Sequence, residues 1–186
     1  MNHIKNKKDL EATIEQIRKF AYSYLEKYSP SQQQLKTYLF KKIIKKGLKK
    51  TDKKEIFNLI DIVTNALMEK NFISDKYFSD AKSKIFLKKG YSLNKIRYSL
   101  IKKGIDEKYI KASISKIKEN ESDPDFFSAI KICKKRRIGA CRDENNRTLF
   151  YKKDISILAR SGFSYETSKK VLDIPKSEFI KFCKMI

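Results

Sequence analysis

The chain has 186 residues, with 44 Lys and Arg against 22 Asp and Glu, for a formal net charge of +22. Apolar residues make up 40% of it, enough for a packed core, and no run of about 18 apolar residues marks a membrane span. A field of this sign attracts polyanions, with nucleic acid first, an anionic membrane surface second and an acidic protein third.

In chain order the segments have helical period. Leu10, Ile14, Ile17, Ala21, Tyr24, Leu25 and Tyr28 form one apolar stripe. Ser29-Pro30 with Gln32 predicts a capped start for a second helix carrying Leu35, Leu39 and Ile43. Asp52 with Glu55 predicts a capping box before Ile56, Leu59, Ile60, Val63 and Leu67. Asp75 precedes a helix with Tyr77, Phe78, Ala81 and Ile85 on its apolar side. Ser92 opens one with Leu93, Ile96 and Leu100, and Asp106 opens one with Ile110, Ile114 and Ile117. The polar stretch 119–123 is a linker, and Asp123-Pro124 caps a helix with Phe127, Ile130 and Cys133. The segment 139–147 is polar and is expected to be a loop. Three more helices follow, marked by Ile155 and Leu158, by Val171 and Leu172, and by Phe179, Ile180 and Cys183. No segment alternates as a strand does.

Four of the five glycines stand in one recurring phrase: Lys46-Gly47-Leu48, Lys89-Gly90-Tyr91-Ser92, Lys103-Gly104-Ile105-Asp106 and Ser161-Gly162-Phe163-Ser164. Glycine tolerates the left-handed conformation that closes a helix, and the next apolar residue packs back on the last turn. In the last three copies a Ser or Asp then caps a new helix. Gly162 in particular is expected to need a positive φ. The expected fold is therefore all-α, with three-helix units at 10–71, 75–119 and 123–186 forming an elongated, curved array.

The glycines are too few and too scattered for a P-loop or a dinucleotide fingerprint. His3 is the single histidine, which removes most acid–base and metal chemistry. The three cysteines, Cys133, Cys141 and Cys183, are scattered, which argues for structural thiols in a reducing cytoplasm. Met1 to Leu10 is polar, without a signal core. No cofactor is expected and no enzyme.

The positive material is the basic clusters. Lys41, Lys42, Lys45, Lys46, Lys49 and Lys50 fall in the first unit; Lys88, Lys89, Arg97, Lys102 and Lys103 fall in the second. Lys134, Lys135, Arg136, Arg137, Arg142, Lys152, Lys153 and Arg160 crowd the third. Their recurrence predicts a stripe that tracks phosphates, with Lys88, Lys89, Arg97, Lys102, Lys103, Arg136, Arg137, Arg142, Lys153 and Arg160 as its contact residues. Tyr91 and Tyr165 stand beside these clusters as possible stacking platforms, while Phe163 is expected in the core.

The same residues resemble the RecX family of bacterial recombination regulators. The second unit carries the pattern most fully, in Lys89-Gly90-Tyr91-Ser92, Ile96-Arg97, Leu100 and Lys103-Gly104-Ile105-Asp106. Asn71-Phe72-Ile73-Ser74-Asp75 with Phe78 and Ala81 looks like the junction of the family's first and second repeats. Lys135-Arg136-Arg137-Ile138-Gly139, Lys153-Asp154-Ile155 and Leu158 to Tyr165 look like its C-terminal repeat. The resemblance covers about 14–172. It implies three tandem three-helix repeats without catalysis, which bind the RecA filament along its groove and oppose filament growth, strand exchange and coprotease activity. It also implies binding of single- and double-stranded DNA by a cytoplasmic protein, here expected to be a monomer without membrane contact. Two features depart from the family: extra residues around 43–51, and lysine where the family often has arginine. Lysine lacks the planar fork that bidentate contacts use. The rival expectation is a structural protein that coats DNA without touching RecA.

Overall fold

The computed structural model describes residues 13–46 and 52–186, which are helical throughout, with no strand among them. Leu10, His3, the Gly47 junction and Lys49 and Lys50 lie outside the described residues. The chain forms two compact units, Met1–Phe78 and Ser79–Ile186.

In the first unit, α1 (Ile14–Leu25), α2 (Gln32–Lys45) and α3 (Lys53–Glu69) share one core. Ile17 and Ala21 of α1 meet Leu35, Leu39 and Ile43 of α2 and Ile56, Ile60, Val63 and Leu67 of α3. These are the stripes expected from helical period, except that Tyr28 is exposed. The start of α2 is corrected: Ser31, not Ser29, is the cap. Ser31 forms a full capping box with Gln34, which satisfies two free amides at once. Asp52 does stand at the N-cap of α3, but no side-chain cap bond forms there.

The second unit holds the body of α4 (Asp75–Lys88), then α5 (Leu93–Ile101), α6 (Glu107–Asn120), α7 (Pro124–Arg136), α8 (Glu144–Leu149), α9 (Tyr151–Arg160), α10 (Tyr165–Leu172) and α11 (Lys176–Met185). The stretch read as a loop, 139–147, instead carries a 3-10 turn at Gly139–Cys141 and the start of α8, with Asp143 at its N-cap. A core of Phe126, Ile130 and Cys133 from α7, Leu158 from α9, Val171 and Leu172 from α10 and Phe179 from α11 holds the C-terminal helices. Phe163 is part of it, as expected. On α4 the apolar side differs from the expected one. Tyr77 and Ile85 are exposed, while Ser79, Ser83 and Leu87 are buried. The hydroxyls make this possible, since Ser79 donates to the Tyr109 carbonyl at 3.3 Å and Ser83 to that of Asp80 at 3.0 Å.

The junctions have the expected form. Gly90, Gly104 and Gly162 have φ of 78°, 75° and 90°. At each, two amides close the preceding helix as a Schellman motif, such as Gly162 N to the Ala159 carbonyl and Phe163 N to that of Leu158. Ser92, Asp106 and Ser164 then accept from Lys95, Lys108 and Thr167 amides. Two further junctions use a non-glycine residue in the left-handed region, Asn71 at φ 57° and Arg137 at φ 53°.

Two carboxylates do a job that local sequence does not announce. Asp75, in the first turn of α4, accepts from the Gln32 amide at the start of α2, at 2.8 Å. Asp125, in the first turn of α7, accepts from the Leu93 amide at the start of α5, at 2.7 Å. Each carboxylate caps the N-terminus of an earlier helix. Burial pushes the Asp125 carboxyl above its ordinary value of 3.8, against the lowering effect of the Leu93 N–H. A raised native value means the folded state holds this proton more tightly than the unfolded chain. The group's contribution is therefore unfavourable above the native pKa, and that cost disappears as pH falls through it toward 3.8. Asp125→Asn keeps an acceptor and loses the charge. It should match or exceed wild-type stability in urea at neutral pH, with wild type regaining ground near about pH 4. Asp125→Ala should cost about 1–2 kcal/mol. Equal losses for Asn and Ala would mean that the charge itself is needed.

Candidate nucleic-acid interface

The expected contact residues divide by what already holds them. Lys88 ends α4 and Lys89 follows it; both are exposed, and no carboxylate pairs with either among the described residues. Cations at a helix C-terminus sit favourably against its dipole. Arg97, on α5, is tied by Nε to Glu107 Oε1 at 2.9 Å, across the Gly104 junction. Lys102 is exposed and lays its Nζ 4.5 Å from the Tyr98 ring centre. Lys103 is half-buried.

In the C-terminal helices, Arg136 and Arg137 are exposed at the end of α7, beside Lys134 and Lys135. Lys134 Nζ donates to the Cys183 carbonyl at 3.3 Å. Lys153 is exposed on α9. Arg160 ends α9 and donates Nε to its own helix, at the Ser156 carbonyl. Arg142 is different. Its Nε and Nη2 reach both oxygens of Asp154, at 2.8 and 2.7 Å, and Asp154 is 1% exposed. The same carboxylate accepts from the buried Gly139 amide at 2.9 Å. The hydrogen bond that Arg142 donates to Asp154 holds its guanidinium above the ordinary arginine pKa. Arg147 likewise works inside the fold, donating to the carbonyls of Leu172 and Ile174 at the end of α10. Arg142 and Lys153 meet at the Phe150 ring, 4.7 and 5.5 Å from its centre. Of the other expected residues, Lys88 and Lys89 stand at the end of α4, Lys102 and Lys103 just past α5, Arg136 and Arg137 at the end of α7 and Arg160 at the end of α9.

Tyr91 is occupied. Its ring stacks on Phe86 with centres 5.1 Å apart and planes 7° apart, and Lys95 Nζ lies 4.4 Å from it. The open rings in this unit are Tyr98, 59% exposed, and Tyr165, 65% exposed. Tyr98 follows Arg97 directly, a signal that the sequence offered and that helical period hid. In the first unit, Lys42 and Lys46 stand 6.0 and 4.6 Å from the Phe20 ring centre.

The thiols are structural in placement. Cys133 is buried and the other two are half-buried, all unpaired. Burial pushes the Cys133 thiol up to about 12, so it stays protonated at neutral pH. Among the described residues no group of His, Cys, Asp and Glu is arranged to hold a metal ion, and no helix is long and apolar enough to cross a membrane.

No family model matches the chain. The regulatory protein RecX of Clostridium tetani is 29% identical over 153 residues, covering 82% of this chain and 64% of that protein. The RecX of Myxococcus xanthus is 24% identical over 156 residues, covering 82% of both chains. The RecX of Clostridium botulinum strain Eklund 17B is 33% identical over 129 residues, covering 69% of this chain and 57% of that one. The chain thus spans from just over half to four fifths of the length of these relatives. The crystal structure of RecX from Lactobacillus salivarius superposes with a TM-score of 0.60 at 17% identity, over 93% of this chain and 97% of the other.

Proposed function

We propose that this chain, which belongs to the RecX family, is a non-enzymatic regulator that binds RecA filaments and restrains filament growth, strand exchange and coprotease activity. The observation that carries the proposal is the set of exposed cations at helix ends, Lys88, Lys89, Lys102, Arg136, Arg137 and Lys153, on a chain of net charge +22. Such a surface suits a long polyanionic lattice and reads no base edges. The tandem arrangement in three-helix repeats is part of the same proposal. It is supported by the Asp75–Gln32 and Asp125–Leu93 contacts, which have the same form in successive groups of helices.

Arg97, Lys102 and Lys103, expected contacts close together in sequence, are candidates for charge reversal. The Arg97–Glu107 pair makes Arg97 a poor choice, because Glu at 97 would face Glu107. The better variant reverses Lys88, Lys89 and Lys102, all exposed. Surface substitutions of this kind usually cost little stability. With RecA, ATP and single-stranded DNA, the wild type should slow ATP hydrolysis and strand exchange well below the amount that coats the DNA. The reversed variant should keep its circular dichroism and lose most of that effect. If about 6–8 cations contact phosphates, DNA affinity should fall with salt at a log–log slope of about −5 to −7. Undiminished inhibition by the reversed variant would remove this surface from the mechanism. Inhibition only at coating stoichiometry would favour a structural DNA-binding protein instead.

A further inference from the structure

The second unit contains a groove that shares only Lys88 with the expected phosphate contacts. α4 and α6 meet at a polar clasp near the middle of each helix. There Ser113 donates to Asp80 Oδ1 at 2.6 Å, and Lys116 Nζ sits 2.6 Å from Asp80 Oδ2. Past this clasp the facing sides of the two helices enclose a cavity of about 380 Å³. Its floor is aliphatic, with Leu87 from α4 and Ile117 from α6. Lys84 and Lys88 stand on its α4 lip, one helical turn apart, and pair with no carboxylate among the described residues. Asn120 and Glu121 stand on the opposite lip.

We propose that this groove docks an acidic amphipathic helix from a protein partner. The aliphatic floor takes an apolar side chain, and Lys84 and Lys88 match two carboxylates spaced one turn apart on the incoming helix. Lys116 is already neutralised by Asp80, so the positive lip is that of α4. Nucleic acid fits less well. No aromatic ring lines the cavity for a base to stack on. The proposal does not depend on RecA as a target, and it uses a different surface from the exposed cations, apart from Lys88.

The probe is a synthetic helical peptide with a leucine stripe flanked by glutamates one turn apart, compared with a scrambled peptide of the same composition and with a single-stranded oligonucleotide. Binding is read by fluorescence anisotropy at about physiological salt, where long-range attraction is screened. Methyl NMR of Leu87 and Ile117 reports the place. The amphipathic peptide should shift both methyl signals and bind about tenfold or more tighter than the scrambled one. Asn120→Trp, which plugs the groove from an exposed position, and Lys84→Glu should each remove that preference. Asn120→Trp should leave affinity for the oligonucleotide unchanged. Equal binding of both peptides, absence of methyl shifts with the amphipathic peptide, or wild-type peptide binding by both variants would overturn the proposal. Methyl shifts caused by the oligonucleotide would overturn it too, in favour of a nucleic-acid groove.

Discussion

Arg142→Ala should destabilise the protein by about 3–5 kcal/mol, the usual cost of removing one partner from a buried ion pair. Asp154 is 1% exposed and holds two bonds from the guanidinium. Without Arg142 the carboxylate keeps only the Gly139 amide, in a site with little water to solvate it. The Gly139–Cys141 turn and α9 are pinned together by that carboxylate, so the loss spreads to the C-terminal core. For a chain of this length the melting temperature should fall by on the order of 10 °C. Arg142→Lys should recover little, because an ammonium cannot match both oxygens at once. Lys153→Ala, at an exposed position on the same helix as Asp154, should change stability by less than about 0.5 kcal/mol while weakening DNA binding. The two residues stand at the same Phe150 ring, so their contrast separates a structural cation from a contact cation. A stable Arg142→Ala protein with weak DNA binding would reverse that assignment and make Arg142 a phosphate ligand.

What the sequence revealed and what it hid follow one physical line. Interactions within one helical turn were legible. The Gly90, Gly104 and Gly162 junctions and the caps at Ser92, Asp106, Asp123 and Ser164 all involve neighbours two to five residues apart. Ser29, with Gln32 three residues on, was expected to cap α2, but the reciprocal bonds between Ser31 and Gln34 make Ser31 the cap. Interactions across many residues were not legible. Asp75 lies 43 residues from Gln32, and Asp125 lies 32 from Leu93. Nothing in either local phrase says which free amide the carboxylate will meet. The same holds for the basic residues. Arg136, Arg137 and Arg142 read alike as charges, and only the approach of α9 commits Arg142 to Asp154. Asn71 and Arg137 escaped a search for glycine, since they enter the left-handed region under the pull of the amide bonds that close α3 and α7. On α4, Ser79 reads as surface because the carbonyl and hydroxyl that satisfy it come from Tyr109 and Ser113 of α6.

Gly162→Val should cost more than the left-handed strain of about 1–2 kcal/mol that any β-carbon meets at such a φ. The reason lies in what stands next to it. Gly162 has φ 90°, and a β-carbon there would fall 2.5 Å from Ser92 Oγ and 3.2 Å from Lys95 Cβ. Ser92 is fully buried, accepts from the Lys95 amide as the cap of α5, and donates to the Ser161 carbonyl at 3.1 Å. Backing away from the new carbon breaks one or both bonds, and losing such a cap costs about 1 kcal/mol by itself. A total of about 3 kcal/mol is therefore expected, read as a shift in urea midpoint with circular dichroism as the probe. Gly104→Val is the control, because Gly104 has φ 75° but is exposed, so it should show the strain alone. The coupling can be isolated with Ser92→Ala, which removes the oxygen in the way. In that background Gly162→Ala should cost clearly less than in the wild type, a departure from additivity expected of groups in direct contact. If the two glycine variants lose equal stability, or the Ser92 background changes nothing, the junction is only a helix stop. Otherwise one glycine sets both the end of α9 and the seating of α5, and it joins the two groups of helices in this unit alongside the Asp125–Leu93 contact.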